Sequence, residues 1–206
     1  MRFHDCIALV GKQLQRPLPG LKAQVRMSPV SRTSDVASYG KREDPLRSGV
    51  LLLLYPQNDS TGFLLIERST GGTHGGQIGL PGGKYELADL TIQQTALRET
   101  QEEIGVDVNA IKLLGSLTPL YIPASGYEVF PQVGYLDEAP HCHPNPAEVK
   151  RIIEATLMSF LNPALRKTGS FETSYGLKEA PYYDYQGDRI WGATSMILSE
   201  FIELFR

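Results

Sequence analysis

The stretch from Gly82 to Val106, GGKYELADLTIQQTALRETQEEIGV, constrains this chain more than any other. It sets a glycine pair ahead of an amphipathic helix, gathers Arg98, Glu99, Glu102 and Glu103 at that helix's end, and stops at Gly105. Residues three and four apart share a helix face, so Glu99 lies beside both Glu102 and Glu103. Carboxylates crowded together in this way repel one another unless positive charge sits among them. A hard divalent cation with oxygen ligands answers that need. A Glu run on its own reads as a solvated helix face, because Glu is a good helix former. The surroundings argue for more. Pro81-Gly82-Gly83 lets backbone approach a ligand, Arg98 can pair with Glu102 at i,i+4, and Leu97, Thr100 and Ile104 supply a core-facing stripe.

These residues resemble the Nudix box, whose usual form is a glycine, five residues, Glu, seven residues and then Arg-Glu-x-x-Glu-Glu-x-Gly. Gly83 matches the glycine, and Arg98, Glu99, Glu102, Glu103 and Gly105 match the second half. The position usually held by Glu falls on Asp89, with eight residues instead of seven before Arg98. That variant is similar to the coenzyme A pyrophosphatase branch of the Nudix hydrolases. A block upstream points the same way. Leu64-Leu65-Ile66-Glu67-Arg68-Ser69, then His74-Gly75-Gly76-Gln77, then Leu80-Pro81-Gly82-Gly83 resembles that branch's signature of Leu-Leu-x-x-Arg-Ser, a basic spacer, His-x-Gly-Gln and Phe-Pro-Gly-Gly. The spacer Arg has no counterpart between Thr70 and Thr73, and Leu80 stands for the Phe. Both departures bear on substrate choice more than on chemistry.

A chain of 206 residues, 41% apolar, can bury one substantial core. Its net charge of −3 argues against general nucleic-acid binding. Arg2, His4 and Asp5 do not form a secretory leader, and the longest apolar run, Val50 to Tyr55, is too short to span a bilayer, so a cytoplasmic protein without membrane attachment is expected. Cys6 and Cys142 lack metal-like spacing and are expected as reduced thiols. The His141-Cys142-His143 cluster lacks a second ligand pair for a tetrahedral zinc site, and reads as part of an ordered loop with Pro140, Pro144 and Pro146.

Phe3, Ile7, Val10 and Leu14 repeat at helical spacing, ahead of Pro17 and Pro19. Leu21 to Pro45 reads as an extended arm whose Lys22, Arg26, Arg32, Lys41 and Arg42 are either solvated or turned to an anionic substrate. Val50–Leu54 and Phe63–Ile66 read as buried strands joined through Pro56, Asn58, Asp59 and Gly62. Further strands are expected at Ile111–Leu117, Tyr127–Leu136 and Val149–Ala155, with a loop at Tyr121–Gly126. A short helix at Leu157–Leu161 precedes a polar loop, then paired strands Tyr182–Tyr185 and Arg189–Trp191, then a closing helix on the stripe Ala193, Ile197, Phe201 and Leu204. Strands interleaved with helices predict an α/β fold. The resemblance sharpens this to a Nudix-type α/β/α sandwich with a mixed central sheet, the Nudix hydrolase domain covering 48–206 and residues 1–47 forming an N-terminal helix and arm packed on it.

The resemblance implies metal-dependent hydrolysis of a P–O–P bond, in coenzyme A or its thioesters, giving 3′,5′-ADP and a 4′-phosphopantetheine moiety. Magnesium or manganese suits such chemistry because it bridges carboxylates and phosphate oxygens. Glu99 and Glu103 are the foremost metal ligands, Glu102 adds a ligand or orients water, and the Gly83 carbonyl completes the shell. Arg98 holds a glutamate in place by a forked hydrogen bond. Arg68 and Lys84 are phosphate partners, and His74 and Gln77 position substrate. The general base is either a box glutamate or a loop acid such as Glu148. Two other readings stand beside this one: hydrolysis of another nucleoside diphosphate derivative, an ADP-sugar or a dinucleotide, and a non-catalytic Nudix-like nucleotide-binding module. The apolar faces of both terminal helices permit a homodimer.

Overall fold

A stretch of strand whose every residue is apolar must be covered on both faces, and Val50–Leu54 is such a stretch. The computed structural model describes residues 1–29, 43–70, 75–173 and 176–206. In it β1 (Leu46–Gln57) and β2 (Ser60–Arg68) form a hairpin, paired from Leu54↔Phe63 to Gln57↔Ser60. Side chains alternate across a sheet, so Leu52, Leu54, Phe63 and Leu65 enter one apolar cluster and Leu51, Leu53, Tyr55, Leu64 and Ile66 enter another.

Each cluster is closed by helices. Helix α1 (Phe3–Gln13) gives Phe3, Cys6 and Val10 to the first. Short α2 (Leu21–Gln24) comes next in the chain, and α3 (Ile92–Ile104) gives Ala96 and Ile104 to the second cluster. After α4 (Leu157–Leu161), α5 (Gly192–Glu203) adds Met196, Ile197, Phe201 and Ile202 to the first. With α3 on one face and α1 and α5 on the other, the layers are helix, sheet, helix.

The sheet is mixed. Between β2 and α3 lie β3 (Ile78–Gly79) and β4 (Gly82–Lys84), and beyond α3 come β5 (Lys112–Ser116), β6 (Leu120–Ile122), β7 (Tyr127–Tyr135) and β8 (Val149–Thr156). Strand β1 runs parallel to β7, from Leu46↔Tyr127 to Leu54↔Tyr135, and antiparallel to β4 at Ser48↔Lys84. Strand β8 flanks β2, and β5 and β6 pair with separate parts of β7. Among the described residues no helix is long and apolar enough to cross a membrane.

Three segments differ from expectation. The polar stretch after α4 is not a loop: β9 (Arg166–Thr173) pairs with β10 (Gly176–Tyr185), and β10 with β11 (Asp188–Trp191), making a separate three-stranded sheet. Most of β9 is exposed on both faces, so its backbone ladder forms without the apolar alternation that marks a strand. The stretch Tyr121–Gly126, expected as a loop, begins inside β6, which pairs Leu120↔Val129 with β7. The arm is helical at its start, through α2 and a 3₁₀ turn at Val25–Met27. Tertiary hydrogen bonds hold it: Gln24 Nε2 donates to Glu200 at 2.8 Å, and Ser199 donates to Ala23 O at 2.7 Å. Arg26, expected as solvated or substrate-facing, pairs with Glu203 at 2.6 Å. Arg32, Lys41 and Arg42 lie outside the described residues.

Candidate active site

Both ends of α3 are fixed by local chemistry. At its start Thr91 and Gln94 form a reciprocal capping box, the Thr91 hydroxyl accepting from Gln94 N at 3.3 Å and Gln94 Oε1 accepting from Thr91 N at 3.2 Å. At its end Gly105 takes the left-handed conformation, φ 69°, and donates to Gln101 O. The last carbonyls of a helix find no partner within it. Here the loop after β7 supplies donors, His143 N to Ile104 O at 2.7 Å and Asn145 N to Glu103 O at 2.9 Å. That docking brings Glu148 to the end of α3, where Asn145 Nδ2 donates to its Oε1 at 3.1 Å. Glu99, Glu103 and Glu148 each then offer an oxygen within 4.8 Å of the others, the one such grouping of three His, Cys, Asp or Glu side chains among the described residues.

Glu103 is fully buried. Its Oε2 accepts from Gly82 N at 2.7 Å. Its Oε1 lies 3.1 Å from Arg68 Nη1, an ionic contact without the alignment of a hydrogen bond, so that oxygen keeps lone pairs to offer. Arg68 Nη2 donates to Gly82 O at 2.8 Å, so Glu103 and Arg68 bracket the Gly82 backbone. Burial pushes the Glu103 pKa up to about 7, against the pull of Arg68 and the Gly82 amide. Burial also raises Glu99, with Arg98 pulling the other way. The Glu99 carboxylate rests on Gly83, where a Cβ would fall 2.3 Å from Oε2. Only glycine leaves that space.

Arg98 organises the acids from the other side. Its fork closes on Asp89, with Nε at 2.9 Å from Oδ1 and Nη2 at 3.0 Å from Oδ2. Its Nη1 makes single bonds to Glu99 at 3.1 Å and Glu102 at 2.9 Å, and Nη2 also donates to Lys84 O at 3.0 Å. Asp89 is buried and accepts further from Glu86 N and Thr95 Oγ1. Arg98 foremost holds the Asp89 carboxyl well below the usual range. The fork therefore holds Asp89, where the sequence pattern led one to expect a glutamate. Glu102 is half exposed, tied to Arg98 and outside the grouping of three.

A cleft of about 300 Å³ opens beside these groups, lined by Arg68, Gln77, Gly82, Gly83, Lys84 and Trp191 among others. It thus brings together the expected substrate residues Arg68, Gln77 and Lys84, although the Arg68 guanidinium is already engaged with Glu103 and Gly82. His74 lies outside the described residues. Sequence reasoning missed the role of Asp89, and it named Glu148 only as a candidate base, not as a partner of Glu99 and Glu103. The role of Asp89 was signalled only by the altered box spacing. No local pattern marks the approach of Glu148, which follows from the need of α3's final carbonyls for donors.

The residues fit a divalent cation. Three carboxylates converge, one buried oxygen lacks a hydrogen bond, and a glycine holds open the space under Glu99. Residues 45–168 match the NUDIX domain family. The chain belongs to the Nudix hydrolases. This Nudix hydrolase is 34% identical over 183 residues to Nudix hydrolase 15, mitochondrial, of Arabidopsis thaliana, spanning 85% of this chain and 62% of that protein. It is 31% identical over 204 residues to the mitochondrial coenzyme A diphosphatase NUDT8 of Homo sapiens, spanning 97% of this chain and 80% of that one. Against Nudix hydrolase 22, chloroplastic, also of Arabidopsis thaliana, it spans 53% of the relative's length at 34% identity. The chain thus spans little more than half the length of the two Arabidopsis relatives. Among solved structures, a MutT/nudix family protein from Enterococcus faecalis superposes with a TM-score of 0.53 at 19% identity, over 89% of this chain and 72% of that one. That likeness concerns the fold.

Proposed function

We propose that this Nudix hydrolase cleaves the diphosphate of coenzyme A or its thioesters, releasing 3′,5′-ADP and a 4′-phosphopantetheine moiety, with Mg²⁺ or Mn²⁺ as cofactor. The observation that carries the reading is the convergence of Glu99, Glu103 and Glu148 behind Gly82 and Gly83, which contact Glu103 and Glu99 and line a cleft together with Arg68 and Lys84. A diphosphate resists water because its charged oxygens repel a nucleophile and the departing phosphate gathers charge. Glu99, Glu103 and Glu148, with the Gly83 carbonyl as a further proposed ligand, would hold a cation that would supply neutralisation of those oxygens and activation of water. The chain's own residues do the rest. Arg98, fixed by Asp89, restrains Glu99. Arg68 fixes Glu103 and keeps its guanidinium charge at the cleft wall. Lys84 carries an exposed ammonium on the same wall as a phosphate partner. The choice of coenzyme A rests on the Arg68-Ser69, His74 to Gln77 and Asp89 features of the sequence, together with the likeness to the human coenzyme A diphosphatase.

A second reading, another nucleoside diphosphate derivative, is favoured by one feature, the missing arginine between Ser69 and His74. Chromatography of coenzyme A incubated with the protein and Mg²⁺ or Mn²⁺ separates the two. Stoichiometric 3′,5′-ADP is the expected product. Intact coenzyme A alongside cleaved ADP-sugars or dinucleotides would reject the first reading. Glu103→Gln should stay folded by circular dichroism yet lose more than about 100-fold in kcat, because an outer-shell partner alone is worth about 10–100-fold. Near-normal turnover of that variant at saturating metal would rule out the metal assignment.

A further inference from the structure

The appended sheet reaches the active site through one residue. Strand β11 delivers Trp191 to the cleft that Gly82, Gly83 and Lys84 also line. The indole arrives already supported. Phe171 of β9 stacks on it with ring centroids 4.3 Å apart and planes inclined by 17°. The Arg189 guanidinium lies over Phe171 at 4.1 Å and over Tyr182 at 4.6 Å, and Tyr182 meets Phe171 edge-on at 5.6 Å. Arg189 Nη2 also donates to Ser170 O at 3.1 Å. Gly169 makes room for this layer, since a Cβ there would fall 2.4 Å from Arg189 Nη2.

Phe171 and Arg189 do not line the cleft, whereas Trp191 does and is only partly buried. Phe171 covers one face of the indole, and Trp191, partly exposed, lines the cleft. Two aromatic rings and a cation held in register form a rigid π surface with little conformational entropy left to lose on binding. Such a surface suits a flat heteroaromatic ring, because every nucleobase has a π face for stacking. The flexible amide and methylene arm of a pantetheine offers no π-system of similar area.

We propose that Trp191 is the purine platform of this enzyme, the adenine of the nucleoside diphosphate substrate stacking on its indole. The inference rests on the proposed diphosphate substrate and adds which half of it the appended sheet recognises.

Trp191 is the chain's single tryptophan, so its emission reports on this surface alone. The full chain, freed of metal by chelator, is titrated with 3′,5′-ADP and separately with 4′-phosphopantetheine, correcting for absorption by the adenine. Saturable quenching or shift with 3′,5′-ADP and no saturable response to 4′-phosphopantetheine is expected. No response to 3′,5′-ADP, or a response to 4′-phosphopantetheine alone, overturns the proposal. In the metal-loaded enzyme Trp191→Ala should raise KM for coenzyme A about ten-fold, in line with the worth of a stacked base, with kcat nearly unchanged and Trp191→Phe restoring most of the loss. An unchanged KM in a folded Trp191→Ala variant also overturns it, and if that variant does not fold the titration of the native chain decides. Coenzyme A hydrolysis without quenching removes the platform and leaves the reaction standing. Quenching without hydrolysis does the reverse.

Discussion

Glu103 is kept dry by the same contacts that orient it, and its burial outweighs both Arg68 and the Gly82 amide in setting a pKa of about 7. A carboxyl whose folded pKa is raised binds protons more readily in the folded chain than in the unfolded one. Its contribution to stability is complete below the unfolded value near ~4.3 and is lost as pH rises toward about 7. At ~1.4 kcal/mol per unit the loss is roughly 3–4 kcal/mol. Urea unfolding in chelator should therefore show the native protein losing stability relative to Glu103→Gln across that window, and a constant difference would refute the account. A bound divalent cation replaces the proton and should remove the effect. Gly83 allows a second test of the same site. Its φ is not left-handed, so alanine meets no backbone strain, but the added Cβ takes the space of the Glu99 carboxylate, the tip of a flexible side chain. Gly83→Ala should change stability by less than about 1 kcal/mol while lowering turnover at least about ten-fold. Thermal melts and initial rates on one preparation check both halves. A variant that melts as the native protein and turns over at the native rate would show that Glu99 needs no such seat.

Helix α3 and the loop from Ala139 to Glu148 act as a pair, joined where the helix ends. Gly105→Ala strikes that joint twice. A left-handed non-glycine residue costs about 1–2 kcal/mol, and the new Cβ would fall 2.8 Å from His143 O on the docked loop. The expected result is about 2–3 kcal/mol of lost stability together with roughly ten-fold weaker Mn²⁺ binding by calorimetry as Glu148 withdraws. Unaltered Mn²⁺ affinity would mean that the loop acid plays no part in holding the ion. This joint also marks where the sequence stops being readable. The helix itself is written locally: Thr91 and Gln94 open it, Ala96 and Ile104 give it a buried face, Gly105 ends it. Strands β1 and β2 are equally plain, because five successive apolar residues from Val50 to Leu54 need cover on both faces. Glu148 lies 45 positions beyond Glu103, and no spacing rule links them. Strand β9 offered no alternating faces, and α2 is held by Glu200 and Ser199 from the far end of the chain. What was hidden depends on contacts distant in sequence; what was visible depends on periodicity and caps.

The N-terminal layer and the carboxylate site meet the same sheet from different sides, and Glu200 shows how the first is attached. It is fully buried on α5, yet four donors face it: Gly20 N at 3.1 Å, Gln24 Nε2 at 2.8 Å, Thr118 Oγ1 at 2.6 Å and Thr118 N at 3.2 Å. A buried acid so surrounded is a staple joining residues near α2, the segment between β5 and β6, and the closing helix. Glu200→Ala removes the acceptor of Gly20 N and of both Thr118 donors, leaving Gln24 Nε2 only Thr118 O, which should cost about 3 kcal/mol. The cation acts elsewhere, through Glu99, Glu103 and Glu148 on the α3 side. At about 100-fold its dissociation constant a ligand specific to the folded state adds about 2.7 kcal/mol. Because the two groups share no partner, the increments should add: Glu200→Ala should unfold in one transition, at lower urea, with the native gain on adding Mn²⁺. Two transitions would show that residues 1–29 come away as a separate unit. A Mn²⁺ gain reduced along with stability would show that the staple and the metal site are coupled through α5, whose first turn lines the cleft.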